Sequence, residues 1–133
     1  MRQPIDIEAA LQTALNNKAV ASGVTVKAFA PPLPPTLPLP CVLVERMGGS
    51  EQDVVIDRHT VEIDTRADTW EHAQQYANAI IGHVRDLEGK LLGGVPCYSA
   101  ELNTQPYNNF DPEHQDVPRV TFSVLLSTRT TTT

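Results

Sequence analysis

The chain has 133 residues, a net charge of −6, 41% hydrophobic residues and 20% charged residues, which is the composition of one folded globular domain rather than of a disordered segment. The excess of acid argues against general binding of nucleic acid, and the two cysteines, Cys41 and Cys97, form no disulfide framework and fit no zinc motif. Since no apolar stretch approaches the roughly 20 residues of a membrane-spanning helix, we expect a soluble protein with reduced thiols, made in a cytoplasm.

The first predicted element is an amphipathic helix over about residues 5–17. Pro4 suits a first-turn position, and the apolar residues that follow it recur with the 3.6-residue period of a helix. Gly23 then precedes a predicted strand over Val24–Phe29, in which apolar and polar residues alternate.

Residues 31–40, PPLPPTLPLP, contain six prolines. Such a tract is extended and stiff, and it lacks most backbone hydrogen-bond donors. Its PxxP spacings leave open recognition by an SH3-like partner of a host complex. Because no basic residue flanks the tract and a strand follows at once, we favour a rigid arm that leads into the sheet.

A hairpin is predicted next, with strands over Cys41–Met47 and Val54–Thr65. Gly48-Gly49 closes the first strand, and a polar loop precedes the second. The alternation in the second strand places three side chains on one face, namely His59, Val61 and Ile63.

The strongest periodicity predicts a helix over about residues 69–88. Asp68 or Thr69 can cap its start, and Gly89 supplies its C-terminal stop. One apolar stripe runs along it through Trp70, Ala73, Ala77, Ile80, Ile81, Val84 and Leu87. A helix with a single apolar stripe needs a sheet or another helix to cover it.

Two strands end the chain, over about 95–103 and Arg119–Thr128. The proline-rich and asparagine-rich segment 104–118 is predicted to be a long loop, and the tail 129–133 to be frayed. The order of elements predicts a single α+β domain over residues 1–133, with a mostly antiparallel sheet and two helices packed on one of its faces.

Candidate chemistry is sparse. The strand period aligns Asp53, Asp57 and His59 on one face, an arrangement that a small metal-binding or hydrolytic enzyme could use. An exposed polar strand face is the interpretation we favour, and the chain has no nucleophile elbow and no phosphate-binding loop. We therefore predict no catalytic residue, no cofactor and no metal, and we expect Arg46 and Arg119 each to pair with an acid of a neighbouring loop.

The acidic residues are concentrated after residue 50. The segment 51–71 has seven acids and two bases, and 101–116 has four acids without Lys or Arg. These segments are either ordinary solvated faces or a surface that repels a polyanion.

Three segments of the chain resemble the tail terminator proteins of long-tailed, non-contractile bacteriophages. The stretch PCVLVERMGG at 40–49 looks like the entry of that family into its first long strand. Two further segments resemble the same family in their order and spacing. They are the run from Asp57-x-His59 to Trp70-x-x-Ala73 and the loop and last strand over 103–120.

The resemblance implies a structural protein of the virion that forms a ring, commonly of six subunits. Such a ring caps the head-proximal end of the tail tube, stops its polymerisation and joins it to the head-side connector or stopper protein, while DNA passes through its lumen. Neck and minor tail proteins are the alternative within the same class. On this basis we expect lumen or ring contacts at Glu51, Asp53, Asp57, Asp111 and Glu113.

Overall fold

The computed structural model describes residues 1–110 and 117–132. The two helices are α1 (Ile7–Leu15) and α2 (Trp70–Arg85). The strands are β1 (Arg2–Gln3), β2 (Ala19–Ala21), β3 (Val24–Thr25), β4 (Lys27–Phe29), β5 (Cys41–Asp53), β6 (Ile56–Arg66), β7 (Leu91–Leu92), β8 (Val95–Asn108), β9 (Arg119–Arg129) and β10 (Thr131–Thr132).

Six strands form one sheet in the order β4-β5-β6-β9-β8-β7. All neighbours are antiparallel except β4 and β5, which run parallel. Both helices pack on one face, α1 against β4 and β5, and α2 against β6, β8 and β9. The predicted α+β fold, with a mostly antiparallel sheet and two helices, is confirmed.

The core lies between the helices and this face, which we call the covered face. In the register of β6 with β9, Val61 and Ile63 lie opposite Val124 and Phe122. Because side chains alternate between the two faces of a strand, all four lie on the covered face, and all four are buried. The helices contribute a buried stripe that comprises Ile7, Leu11 and Leu15 of α1 and Ala73, Ala77, Ile80 and Val84 of α2.

Both helices are shorter than their patterns predict. The carboxylate of Asp6 accepts from the Ala9 N–H and caps α1, while the Thr69 hydroxyl accepts from the His72 N–H and caps α2. Thr69 rather than Asp68 is therefore the cap, and α2 ends at Arg85, before Gly89.

The predicted hairpin is longer than expected, because β5 continues through Gly48-Gly49 to Asp53. Gly48 lies at a register shift in the pairing with β6. Gly49, at φ +150°, faces His59, and a Cβ at this position would overlap the backbone carbonyl oxygen of Arg58. The glycine pair thus allows close strand approach, and the turn itself lies at Val54 and Val55.

The predicted strand Val24–Phe29 is divided between β3, which pairs with β2, and β4, which pairs with β5. Residues 31–40 contain no helix or strand and connect the parallel strands β4 and β5, as expected of an arm that leads into the sheet. The arm is exposed at Leu33 and Leu39.

Two further boundaries differ from the sequence-based expectation. The predicted loop 104–118 begins later, because β8 continues to Asn108, and its residues 111–116 lie outside the described part of the chain. The tail predicted to be frayed forms β10, which pairs with β1 through Thr131–Gln3 and Thr132–Arg2.

Candidate functional site

The far end of the β5–β6 hairpin forms a groove of about 490 Å³ together with the first residues of the chain. Asp57 and His59 lie on the covered face of β6, as the period predicts, and Asp57 is opposite Thr128 of β9. The groove is lined by Arg2, Gln3, Pro4, Arg46, Gly48, Gly49, Ser50, Glu51, Val54, Asp57, Arg58, His59 and Thr130.

His59 is a buried residue of this groove, with 4% of its surface exposed. Its Nε2 lies 3.0 Å from the Thr128 hydroxyl oxygen, so the ring and the hydroxyl share a hydrogen bond. Burial lowers the pKa of His59, the Asp57 carboxylate raises it and the Arg46 guanidinium lowers it. The net lowering favours a neutral imidazole at neutral pH.

Asp57, His59 and Thr128 are residue types of a hydrolytic triad and lie on one face of the adjacent strands β6 and β9, but the nucleophile position is closed. Thr128 is fully buried, so its hydroxyl cannot reach a substrate. One oxygen of Asp57 is buried without a hydrogen-bond partner in the described part of the chain. The arrangement therefore fits a packed polar cluster better than an active site.

The prediction that Asp53 lies on one strand face with Asp57 and His59 is wrong. Asp53 ends β5 at the hairpin tip, opposite Ile56, because the turn lies between it and the strand that carries His59. Within residues 1–110 and 117–132, no three His, Cys, Asp or Glu side chains converge in a way that could hold a metal ion.

Of the other expected contact residues, the structure describes Glu51 and Asp53, which both lie near the end of β5. Glu51 lies directly opposite Asp57 across the hairpin, and Glu51 and Asp53 are both exposed. Asp111 and Glu113 lie outside the described residues. Glu51, Asp53 and Asp57 thus lie near the end of the β5–β6 hairpin, where Asp57 is half-buried and Arg46 and Arg58 line the same groove as Glu51.

Arg46 and Arg119 occupy different settings. The Arg119 Nε lies 3.0 Å from an oxygen of Asp64, which belongs to the neighbouring strand rather than to a loop. The Arg46 side chain is exposed and lines the groove, while its backbone N–H donates to Glu8 of α1 at 2.9 Å. Glu8 thus satisfies one donor on the open edge of β5.

Sequence reasoning missed a polar network on the second face of the sheet, which we call the open face. The Thr121 hydroxyl donates to Asp64 at 2.6 Å and accepts from the Asn109 amide at 3.1 Å. Farther along β9, Ser123 donates to Thr104 at 2.7 Å and accepts from Asn103 at 3.0 Å. The alternating Thr and Ser of β9 were a signal of an outward face, but they did not reveal these partners.

Two glutamates oppose each other on this open face. Glu45 of β5 is directly opposite Glu62 of β6, and Asp64 is the next residue of β6 on the same side. Partial burial and the carboxylates of Asp64 and Glu45 raise the pKa of Glu62, and Arg119 lowers it. Like charges in directly opposed positions disfavour strand pairing, so this part of the sheet retains a local electrostatic cost.

Comparison with solved structures finds a similar fold in a virus-like particle. A chain in the structure titled "Virion of native gene transfer agent (GTA) particle" superposes with a TM-score of 0.64 and 17% sequence identity, over 94% of this chain and 95% of that one. No family model matches the chain, and no curated protein matches it. In the described part of the chain, no helix has the length and hydropathy required to cross a bilayer.

Proposed function

We propose that the protein is a structural component of a tailed, phage-like virion and that it forms a ring at the head-proximal end of the tail tube. The observation that carries this proposal is the similarity in fold, over nearly the whole of both chains, to a component of a gene transfer agent virion. The resemblance of residues 40–49, 57–73 and 103–120 to tail terminator proteins supports the same class.

A structural role also agrees with the chemistry of the groove. His59 and Thr128 contact each other and are buried, and the Asp53 carboxylate lies apart from them at the hairpin tip. We propose accordingly that the chain has no catalytic function and uses no cofactor.

The distribution of acid supports a conduit for DNA. Glu51 and Asp53 are exposed at one end of the β5–β6 hairpin, and Glu45 and Glu62 lie on the open face. A negatively charged wall repels phosphate, which keeps a passing duplex mobile. On this proposal the ring, of six subunits, contacts the major tail tube protein and the head-side connector, and DNA passes without specific binding.

The test is an assembly experiment with the major tail protein of the same particle. Purified protein is added to growing tubes, and tube lengths and end structures are measured by electron microscopy. We expect growth to stop and rings to appear at one end only. Tubes that grow unchanged, with no ring at either end, would contradict the proposal, whereas rings on the connector alone would favour a neck protein.

A second test concerns the lumen. Replacement of Glu51, Asp53 and Asp57 by Lys should impair DNA passage more than capping if these acids face the channel. The wild-type protein should not shift duplex DNA at physiological salt, because it offers few cations to displace counterions. Micromolar affinity with a steep dependence on salt would contradict a conduit that only repels DNA.

A further inference from the structure

The six-stranded sheet has two lateral edges that its short strands cover only in part. In the described part of the chain, β4 pairs with Cys41–Leu43 of β5, and β7 pairs with Val95 and Pro96 of β8. No strand of the described residues lies beside the rest of β5 on one side or beside the rest of β8 on the other. We call these two sides the β5 edge and the β8 edge, and both present exposed side chains.

A glutamate caps one backbone N–H group on each of these edges. Glu8 of α1 accepts from the Arg46 N–H on the β5 edge at 2.9 Å, and Glu88 accepts from the Ala100 N–H on the β8 edge at 3.2 Å. A capped N–H group is not available for pairing with the strand of a partner. A partner would therefore be recognised mainly by the side chains that project from the edges.

The pairing register places Lys90 of the β8 edge level with Glu51 of the β5 edge. One row of directly opposed residues crosses the sheet through Glu51, Asp57, Thr128 and Cys97. The Cys97 N–H donates to the Lys90 carbonyl oxygen at 2.8 Å, so Lys90 continues this row beyond β8. Lys90 and Glu51 are both exposed and carry opposite charges.

A second row brings a charge of the opposite sign to the β8 edge. It runs through Gly49, His59, Leu126 and Ala100, and the Ala100 N–H donates to Glu88. On the β5 edge, the exposed Arg46 lies two rows from Gly49, or about 7 Å along the strand. The long side chains of Arg and Glu can span that distance, so Arg46 and Glu88 also correspond in height.

Exposed apolar residues correspond in the same way near the hairpin turn. Leu91, with 70% of its surface exposed, directly follows Lys90 on the β8 edge. Val54, with 65% of its surface exposed, directly follows Asp53, whose row is next to that of Glu51. Both residues lie on the side of the Glu51 row that is nearer to the turn, so they are at similar heights on opposite edges.

We propose that the β5 edge of one copy of this chain binds the β8 edge of a second copy. The contact joins three pairs of residues, which are Arg46 with Glu88, Glu51 with Lys90, and Val54 with Leu91. It matches opposite charges in both directions and removes exposed apolar surface from water. The inference rests on the proposed ring, for which it names the contact between subunits.

Within one copy the two edges cannot meet. Three strand spacings separate β5 from β8, a distance of about 14 Å. The ion pairs found among the described residues, His72 with Asp68 and Arg119 with Asp64, include no charged residue of the proposed contact. The charges of the two edges are therefore available to a second copy.

A contact between these unlike edges of identical copies is heterologous, so it generates a closed ring if the rotation per copy closes, or a filament if it does not. In a ring whose strands run along the axis, all copies have the same height, and residues of one row meet the same row of the next copy. The contact makes Glu51 a ring contact. It leaves the open face of the sheet, with Glu45 and Glu62, uncovered as a channel wall requires.

Cysteine cross-linking tests the contact directly. In the double variant Val54→Cys, Leu91→Cys, each edge carries one exposed thiol, and a short bis-maleimide should join neighbouring copies. The native thiols interfere little, since Cys41 and Cys97 are buried and burial raises the pKa of Cys41 to about 11. We expect a ladder of covalent oligomers from rings on tubes, and none from either single variant.

The matched control moves the second cysteine to an exposed position of α2, in the variant Val54→Cys, Asn78→Cys. This variant retains the thiol of the β5 edge but has none on the β8 edge, so it should give no ladder. Equal cross-linking of both double variants, or none in the Val54→Cys, Leu91→Cys variant, would overturn the proposed contact. A covalent dimer from either single variant would show that like edges meet and would overturn it too.

Charge reversal supplies an independent measurement. Lys90→Glu should lower the yield of rings on tubes by about tenfold or more, and the added substitution Glu51→Lys should restore it. The control adds Glu71→Lys instead, which gives the same net charge but lies at an exposed position in the first turn of α2, away from both edges. It should not restore the yield. Equal restoration by both added substitutions, or by neither, would overturn the proposal.

The two proposals fail in different ways. If tubes are capped but neither cross-linking nor charge reversal has the expected effect, the ring exists and its contact lies elsewhere. If cross-linked oligomers form in solution while tubes grow without limit, the contact is correct and the function at the tail tube is wrong. Cross-linking of the edge thiols to another virion protein instead would identify a different partner and overturn the second copy.

Discussion

The two faces of the sheet achieve burial by different physical means. On the covered face, Val61, Ile63, Val124 and Phe122 are buried against helices, and the driving force is removal of apolar surface from water. On the open face, Thr121 is equally buried, with 1% of its surface exposed, yet its side chain is hydrogen-bonded to Asp64 of β6 and to Asn109, which follows β8. The first face supplies the hydrophobic contribution to folding, and the second is held together by hydrogen bonds between polar side chains.

The largest expected loss of stability comes from a substitution on the covered face. Ile80→Asp places an unpaired charge in the buried stripe of α2 at a cost of several kcal/mol, comparable with the whole free energy of unfolding. Chemical denaturation should show no cooperative transition. The control is Asn78→Asp on the exposed side of the same helix, which should change stability by about 0.5 kcal/mol or less. A soluble, cooperatively folded Ile80→Asp variant would refute the packing of this helix.

A smaller loss is expected on the open face. Thr121→Val removes the hydroxyl that joins Asp64 and Asn109, and the free energy of unfolding should fall by about 1–2 kcal/mol. Ser123→Ala, on the more exposed part of the same strand, should cost less, since solvent can replace its partners. Equal losses from both substitutions, measured by urea denaturation, would show that burial does not distinguish the two hydroxyls.

We expect the domain to become less stable in acid because of His59, a polar residue of the covered face. Its pKa is lowered in the folded state, so the unfolded chain binds the proton more readily. The contribution of His59 is fully present above the unfolded value of about 6.5 and is lost as the pH falls towards the folded value. Thermal denaturation at several pH values between 7.5 and 5 should detect this loss of stability. In the variant His59→Gln, whose side chain cannot titrate, the loss should be smaller. A loss of the same size in the variant would show that other groups cause it.

The smallest expected effect is a gain in stability, from a substitution on the open face. The pKa of Glu62 is raised in the folded state, so ionisation of this residue destabilises the domain at neutral pH. Glu62→Gln should increase stability by about 0.5 kcal/mol or less, because the site is partly exposed and solvent screens the repulsion from Glu45. Below the unfolded pKa of Glu62 the difference should vanish. A destabilising effect at pH 7, in the same denaturation assay, would show that the carboxylate makes a favourable contact.

The periodicity of the sequence determined the elements that belong to the covered face. The stripe of α2 and the alternation of β6 and β9 follow from helical and strand geometry alone, so the fold class, the buried side of each strand and the alignment of Asp57 with His59 could be predicted. Local turn chemistry was less decisive. Gly48-Gly49 has the composition of a turn, but it lies inside β5, because the partner strand approaches too closely for a side chain.

Only the tertiary structure decided the partners of the polar residues. Thr128 is 69 positions from His59, and Thr121 is 57 positions from Asp64, so their pairing depends on the register of β6 with β9. Sequence periodicity specifies which face a residue occupies, but not which distant residue lies opposite. Likewise, the groove unites Arg2 of the N-terminal strand with Arg46 and Arg58 of the hairpin, a juxtaposition that requires β1 to pair with β10 beside the end of β9.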